Sequence, residues 1–117
     1  MEEARARELL AAERARIERE LAELSRPGDS GELSHADQHP ADEATDLFDD
    51  EVRAGLFDDL REDLRAVERA EARLEAGTYG LSVESGARIP DERLEVRPTA
   101  ERTVEEEAAL EHGRPAP

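Results

Sequence analysis

The chain has 117 residues, 32 of them acidic and 16 basic, so its formal net charge at pH 7 is −16. This charge disfavours general binding of DNA or RNA. The sequence contains no cysteine, which excludes disulfides, thiolate nucleophiles and sulfur-ligated zinc sites. No segment approaches the ~18 consecutive apolar residues of a membrane span, and the first residues are not typical of a signal peptide, so a cytoplasmic protein is expected.

The first predicted element is a helix over residues 2–26. Apolar side chains recur along it at helical spacing among alanine, glutamate and arginine, which favour helix. Pro27-Gly28 marks its end. The apolar positions are Leu10, Ile17, Leu21 and Leu24.

A second helix is predicted from about Asp42 to Ala76, with Gly77 as its stop signal. Its main apolar positions step by three, four or seven residues and so lie on one side of the helix. These positions are Phe57, Leu60, Leu64, Val67 and Leu74.

Two long helices that each carry one apolar stripe are expected to fold back as an antiparallel coiled-coil hairpin over residues 1–76. The fold class is therefore mainly α. One alignment brings the two stripes together and pairs the polar residue within each stripe. It places the following residues opposite each other: Leu10 and Leu74, Ile17 and Val67, Leu21 and Leu64, Leu24 and Leu60, and Arg14 and Glu71.

The acidic residues are concentrated between the two helices. Residues 27–52 contain nine acidic residues and no basic residue. The hairpin alignment puts this segment at the tip, where it is either a functional acidic surface or an ordinary solvated loop.

A row of basic residues, spaced four apart, lies on the second predicted helix. One interpretation is a solvated face that pairs with glutamates of the first helix, and the other is a docking contact with an acidic partner. The row consists of Arg61, Arg65, Arg69 and Arg73.

Residues 77–112 are predicted to form a small lobe with a C-terminal helix, followed by a frayed tail over residues 113–117. A short hairpin should surround Glu84-Ser85-Gly86, a helical turn should lie between Pro90 and Pro98, and the last helix should run from Thr103 to His112. The apolar side chains available for a core are Tyr79, Leu81, Val83, Ile89, Leu94, Val96 and Val104.

Three stretches within residues 30–106 together resemble the DksA/TraR family of bacterial RNA-polymerase-binding regulators. Residues 31–48 are similar to the run E-L-S…D-x-H-P-A-D-x-A-T-x-L-F that opens the second coiled-coil helix of the family. Residues 77–80 match the G-T-Y-G helix exit, and residues 89–100 are similar to I-P-x-x-R-L-E-A-x-P-x-A between the two halves of the zinc finger. The resemblance implies a hairpin that enters the secondary channel of RNA polymerase and acts there without reading DNA sequence.

The C-x2-C-x17-C-x2-C zinc frame of the family falls on residues that are not cysteine: Ser82, Ser85, Thr103 and Glu106. Neutral hydroxyl groups are poor zinc ligands, and one carboxylate does not complete a tetrahedral structural site. We therefore predict no zinc and no other cofactor. The lobe is then a degenerate zinc-finger-like module that other contacts must hold together.

The acidic tip motif of the family, D-x-x-D-x-A, falls on residues 39–44, where Asp42 and Ala44 match and His39 replaces the first aspartate. Asp37 is a nearby substitute. Asp42 is equally well explained as the N-cap of the second helix. The predicted partner-binding residues at the tip are Asp37, His39, Asp42, Glu43, Ala44 and Asp46.

Two alternatives to polymerase binding follow from the sequence. The hairpin could instead serve another protein partner or self-association, although we expect a monomer. His35, Asp37 and His39 could also bind a transition metal, since imidazole and carboxylate are suitable ligands. An enzyme is not expected, because no nucleophile and base can be paired from three scattered histidines and no cysteine.

Overall fold

The computed structural model describes residues 1–25 and 43–113, with side chains from residue 49 onward in the second range. These ranges contain four helices, which confirms the mainly α fold class. They are α1 (Glu3–Ser25), α2 (Glu43–Ala76), α3 (Asp91–Val96) and α4 (Val104–His112). The two long helices agree with the predicted bounds to within one residue at each described end.

Helix α2 ends where the sequence predicts. Gly77 has a φ of +80°, a conformation that glycine adopts without the steric cost of a Cβ atom. The Thr78 N–H donates to the carbonyl of Arg73 at 2.9 Å, and the Gly77 N–H donates to Leu74 at 3.2 Å. This pattern is a Schellman cap, which satisfies carbonyl groups at the end of the helix.

The chain divides into two compact units. One unit is Arg14–Arg65, in which Ile17 and Leu60 are buried. The Arg53 guanidinium donates a 3.0 Å hydrogen bond to the carbonyl of Leu24. The end of α1 therefore lies beside the first half of α2, as an antiparallel hairpin requires.

The other unit contains Met1–Glu13 and Ala66–Pro117. Here too the two helices are antiparallel, because Arg7 near the start of α1 lies 3.9 Å from Glu75 near the end of α2. Small and branched side chains are buried on both helices. They are Ala6, Leu10, Val67 and Ala70.

The lobe after α2 folds around a small core of its own. Leu81 and Arg88 form an antiparallel bridge, which fits the predicted short hairpin. The core contains Ile89, Leu94 and Ala100, against which Met1 and Tyr79 pack. Four other candidate core residues are largely exposed, because each short element turns only one side inward. These are Leu81, Val83, Val96 and Val104.

Candidate functional site

The predicted hairpin tip lies mostly outside the described residues. Helix α2 begins at Glu43, directly after Asp42 in the sequence. Outside the described ranges fall Asp37, His39 and Asp42, together with His35 of the alternative metal site. The first turns of α2 include Glu43, Ala44 and Asp46. The structure describes the backbone of these three residues but not their side chains.

An open groove with a volume of about 400 Å³ lies between α1 and α2 within the unit Arg14–Arg65. Its apolar lining comes from Leu24, Leu56 and Leu60. Leu24 and Leu60 share this groove, as the hairpin alignment predicts. Leu56 is 47% exposed, so the groove presents apolar surface to the outside.

The rim of this groove is acidic. It consists of Arg16, Glu20, Glu23, Asp59 and Asp63. Arg16 donates a 2.7 Å hydrogen bond to Glu20. Four carboxylates and one guanidinium give these residues a net charge of −3. A surface with this charge and an apolar lining is complementary to basic groups around an apolar side chain.

Two arginines of the basic row bind the same carboxylate of the lobe. Arg69 and Arg73 donate to one oxygen of Glu101, at 2.9 and 3.0 Å. Burial acts to raise the pKa of Glu101, but the hydrogen bonds and charges of the two arginines lower it overall. This part of the row therefore ties α2 to the lobe.

The other two arginines of the row have partners on their own helix. Arg65 donates to Glu62 at 3.0 Å. The Arg61 guanidinium lies 5.5 Å from the centre of the Phe57 ring, within the range of a cation–π contact. All four arginines of the row thus have partners within the chain.

The first half of the family's zinc frame forms a hydrogen-bonded turn. Ser82 is buried, and its hydroxyl oxygen accepts from the backbone N–H groups of Glu84 at 3.0 Å and Ser85 at 3.2 Å. The Ser85 hydroxyl oxygen in turn accepts from the N–H of Ala87 at 3.1 Å. Two serine side chains therefore satisfy three backbone donors of this turn.

The second half of the frame begins helix α4. The Thr103 hydroxyl oxygen accepts from the N–H of Glu106 at 3.1 Å, and the Glu106 carboxylate accepts from the N–H of Thr103 at 2.9 Å. This reciprocal pair is a capping box. Both residues of the second half are thereby fixed to each other.

A direct contact joins the two halves, since the Ser85 hydroxyl donates to the second oxygen of the Glu106 carboxylate. Hydrogen bonds from Ser82, Ser85 and the Thr103 backbone lower the pKa of Glu106 to about 2. The carboxylate is therefore ionised at neutral pH. All four positions of the zinc frame lie in this one network, which we call the polar staple: Ser82, Ser85, Thr103 and Glu106.

The donor set of the polar staple does not fit a structural zinc ion. Three of the four positions are neutral hydroxyl groups, which bind zinc poorly, and the single carboxylate is already held by three hydrogen-bond donors. In the described ranges no three histidine, cysteine, aspartate or glutamate residues are grouped as metal ligands.

Sequence reasoning missed two contacts that flank the polar staple. Arg102 donates to Glu84 across the same two segments, and the Val83 N–H donates to the carbonyl of Glu101 at 2.8 Å. Both connect residues about eighteen positions apart. The opposite charges of Glu84 and Arg102 next to the zinc frame are a signal for the first contact, whereas the second joins two backbone groups and has no signal in the side chains.

Comparison with known proteins gives two curated relatives, both from Bacillus subtilis strain 168. The chain is 49% identical over 75 residues to the uncharacterized protein YteA and 42% identical over 82 residues to general stress protein 16O. These matches cover 63% and 69% of this chain, but only 31% and 50% of the relatives. The chain therefore spans half or less of the length of each. No family model matches.

Among solved structures, the fold is similar to that of the transcription factor DksA2 from Pseudomonas aeruginosa. The TM-score is 0.69 and the sequence identity is 30%. The match covers 95% of this chain and 84% of the other. Both the hairpin and the lobe are therefore included in the similarity. No helix in the described residues is long and apolar enough to cross a membrane.

Proposed function

Because this chain belongs to the DksA/TraR family, we propose that it regulates transcription by binding bacterial RNA polymerase and inserting its acidic hairpin into the secondary channel. The observation that carries the proposal is the similarity to a transcription factor over 95% of the chain. A similarity confined to the coiled coil would support only a helical hairpin.

The charge distribution of the hairpin supports a protein partner. The segment of residues 27–52 has nine acidic residues and no basic one. The groove between α1 and α2 adds an apolar floor with an acidic rim. Such a surface repels nucleic acid and favours a basic, partly apolar protein surface, so the protein acts on the polymerase without reading DNA sequence.

Within this proposal the hairpin tip is the acting part, and the basic row is mainly structural. The family motif assigns the tip carboxylate to Asp42. In contrast, Arg69 and Arg73 are occupied by Glu101. The protein carries out no reaction of its own, so the effect on transcription comes from what the tip contacts inside the polymerase.

The test is direct binding of the purified protein to bacterial core RNA polymerase, with a known secondary-channel protein as competitor. We expect competed binding at micromolar concentration or tighter. The variant Asp42→Asn is the parallel sample and should bind while losing its effect on transcription in vitro. Asp58→Asn is its matched control, because Asp58 is an exposed acid on α2 that lies outside both the acidic segment 27–52 and the lining of the groove.

Three results would contradict parts of this proposal. Binding that the competitor does not displace would place the protein elsewhere on the polymerase and contradict the channel proposal. Equal activity of Asp42→Asn and wild type would remove the tip carboxylate from the mechanism. Absence of binding would reject the polymerase as partner.

The alternative is a coiled-coil interaction protein with another partner or with itself. It is favoured by the exposed apolar side chains of the lobe, among which Val96 is 86% exposed and Val104 is 51% exposed. A mass that rises with protein concentration in sedimentation equilibrium, combined with no binding to polymerase, would support this alternative.

A further inference from the structure

We propose that the polar staple replaces a zinc ion as the crosslink of the lobe, so that the fold of the lobe needs neither metal nor thiol. The polar staple consists of Ser82, Ser85, Thr103 and Glu106. The inference concerns the lobe alone and holds whether or not the hairpin binds polymerase.

The polar staple has the same connectivity as a structural zinc site. A structural zinc ion joins two turns that are distant in sequence by binding two side chains from each. Here Ser82 and Ser85 organise one turn, Thr103 and Glu106 organise the other, and the Ser85 hydroxyl donates to the Glu106 carboxylate between them. The same four positions thus connect the same two segments through hydrogen bonds.

Each half of the polar staple also has hydrogen bonds of its own, which do not involve the other half. The Ser82 hydroxyl accepts from the N–H groups of Glu84 and Ser85. Thr103 and Glu106 satisfy each other as a capping box. The crosslink therefore joins two preorganised segments, which limits the conformational entropy that its formation costs.

Neighbouring contacts reinforce the crosslink. Arg102 pairs with Glu84, and their side chains are 26% and 44% exposed. The Val83 N–H donates to Glu101 at 2.8 Å. Three separate contacts thus join residues 82–87 to residues 101–106, and together they act where a single metal ion would.

The chemistry of the replacement has a consequence for the cell. A zinc finger loses its metal when a chelator removes it or when an oxidant attacks its thiolates. Hydroxyl and carboxylate groups react with neither. The crosslink should therefore persist under zinc limitation and in the presence of oxidants that attack thiolates.

The first experiment compares the full chain with and without metal. We expect no zinc above background after purification in zinc-containing medium, and the same thermal unfolding curve in excess chelator, in excess zinc and after treatment with a thiol-specific oxidant. One equivalent of bound zinc, or a lobe that unfolds in chelator, would overturn the proposal.

The second experiment removes the crosslink and uses a neighbour as control. Glu106→Gln loses the ionised acceptor, whereas Glu105→Gln makes the same charge change one residue earlier, at an exposed side chain outside the network. Hydrogen exchange of the Thr103, Glu106 and Ser85 amides should accelerate about tenfold or more in Glu106→Gln, because hydrogen bonds to an ionised carboxylate are stronger than those to a neutral amide. Equal exchange in the two variants would overturn the proposal.

The third experiment tests the geometry by restoring the metal. A variant with all four positions changed to cysteine should bind one equivalent of Zn²⁺, or of Co²⁺ with a tetrahedral thiolate spectrum, and should become sensitive to chelator. The single variants of the second experiment decide the proposal if this variant does not fold. A folded four-cysteine chain that binds no metal would show that the positions do not converge.

Discussion

The phenolic hydroxyl of Tyr79 donates a 2.8 Å hydrogen bond to the backbone carbonyl of Pro98. Tyr79 follows the end of α2, and Pro98 follows α3, so the bond connects the entrance of the lobe to its far side. The ring of Tyr79 also packs on the core of Ile89, Leu94 and Ala100. Tyr79 therefore contacts both the lobe core, through its ring, and the backbone after α3, through its hydroxyl.

Removal of the Tyr79 hydroxyl tests this connection. Tyr79→Phe keeps the ring and loses the hydrogen bond to Pro98, so the free energy of unfolding should fall by about 0.5–1.5 kcal/mol. Tyr79→Ala should cost more, because the packing is also lost. Chemical denaturation followed by circular dichroism measures both values, and equal stability of wild type and Tyr79→Phe would contradict the prediction.

The ionisation of Tyr79 provides a second, independent measurement. Burial raises the pKa of its phenol above the ordinary value of 10.0, although the charge of Arg73 opposes the shift. Tyr79 is the only tyrosine in the chain and tryptophan is absent, so absorbance reports this group alone. The apparent pKa should be above 10 in the folded protein and should return to the ordinary value in denaturant.

The clamp between α2 and the lobe depends on the charge of Glu101. Glu101→Gln leaves the guanidinium groups of Arg69 and Arg73 without their shared carboxylate, so we expect a loss of about 1–2 kcal/mol in stability. Glu62→Gln is the control, because the ion pair of Glu62 with Arg65 is exposed and should contribute less than about 0.5 kcal/mol. Thermal unfolding of the two variants distinguishes the cases, and equal losses would reject a specific clamp.

The polar staple predicts how stability depends on pH. The pKa of Glu106 is about 2 in the folded protein, against an ordinary value of 4.5. Its ionised form therefore stabilises the fold fully above about pH 4.5, and this contribution is lost as the pH falls toward 2. Unfolding measured from pH 2 to pH 7 should show a smaller acid-induced loss in Glu106→Gln than in Glu105→Gln.

Two glycines provide a matched test of the backbone. Gly77 has a φ of +80° with open space where a Cβ atom would be, so Gly77→Ala should destabilise by about 1–2 kcal/mol through strain alone. Gly55 lies inside α2 and also has open space, so Gly55→Ala should stabilise by about 0.5–1 kcal/mol. Opposite changes in melting temperature are expected, and a change of the same sign in both variants would be inconsistent with this helix end.

The sequence was sufficient to predict the elements that depend on local signals. Periodic leucines predict α1 and α2, and Gly77 predicts the end of α2. The contents of the lobe core were not predictable in the same way. Ala100 and Met1 belong to this core only through the tertiary fold, because they are far apart in the sequence. Val96 is 86% exposed because the short helix α3 buries only Leu94.

The site was predictable in position and only partly in chemistry. The spacing of the family frame identified Ser82, Ser85, Thr103 and Glu106, and the structure brings all four into one network. These side chains bind one another because the fold orients them toward each other. Local sequence signals do not predict that orientation, since Ser85 and Glu106 are 21 positions apart. The groove between α1 and α2 also depends on the separation of the two helices, for which residue spacing carries no signal.

The groove leads to the most direct test of how the hairpin meets its partner. Leu56 lines the groove and is 47% exposed, whereas Val104 is 51% exposed in the lobe and does not line it. Leu56→Asp places a charge where an apolar side chain of the partner should insert, so binding to core polymerase should weaken about tenfold or more, since burying an unpaired charge is costly. Val104→Asp makes the same change in net charge at similar exposure, at the first residue of α4 and outside the hairpin, and should bind nearly as wild type. Equilibrium titration measures both affinities, with circular dichroism to verify that both variants are folded. Equal weakening in the two would mean that overall charge, and not the groove, determines the affinity.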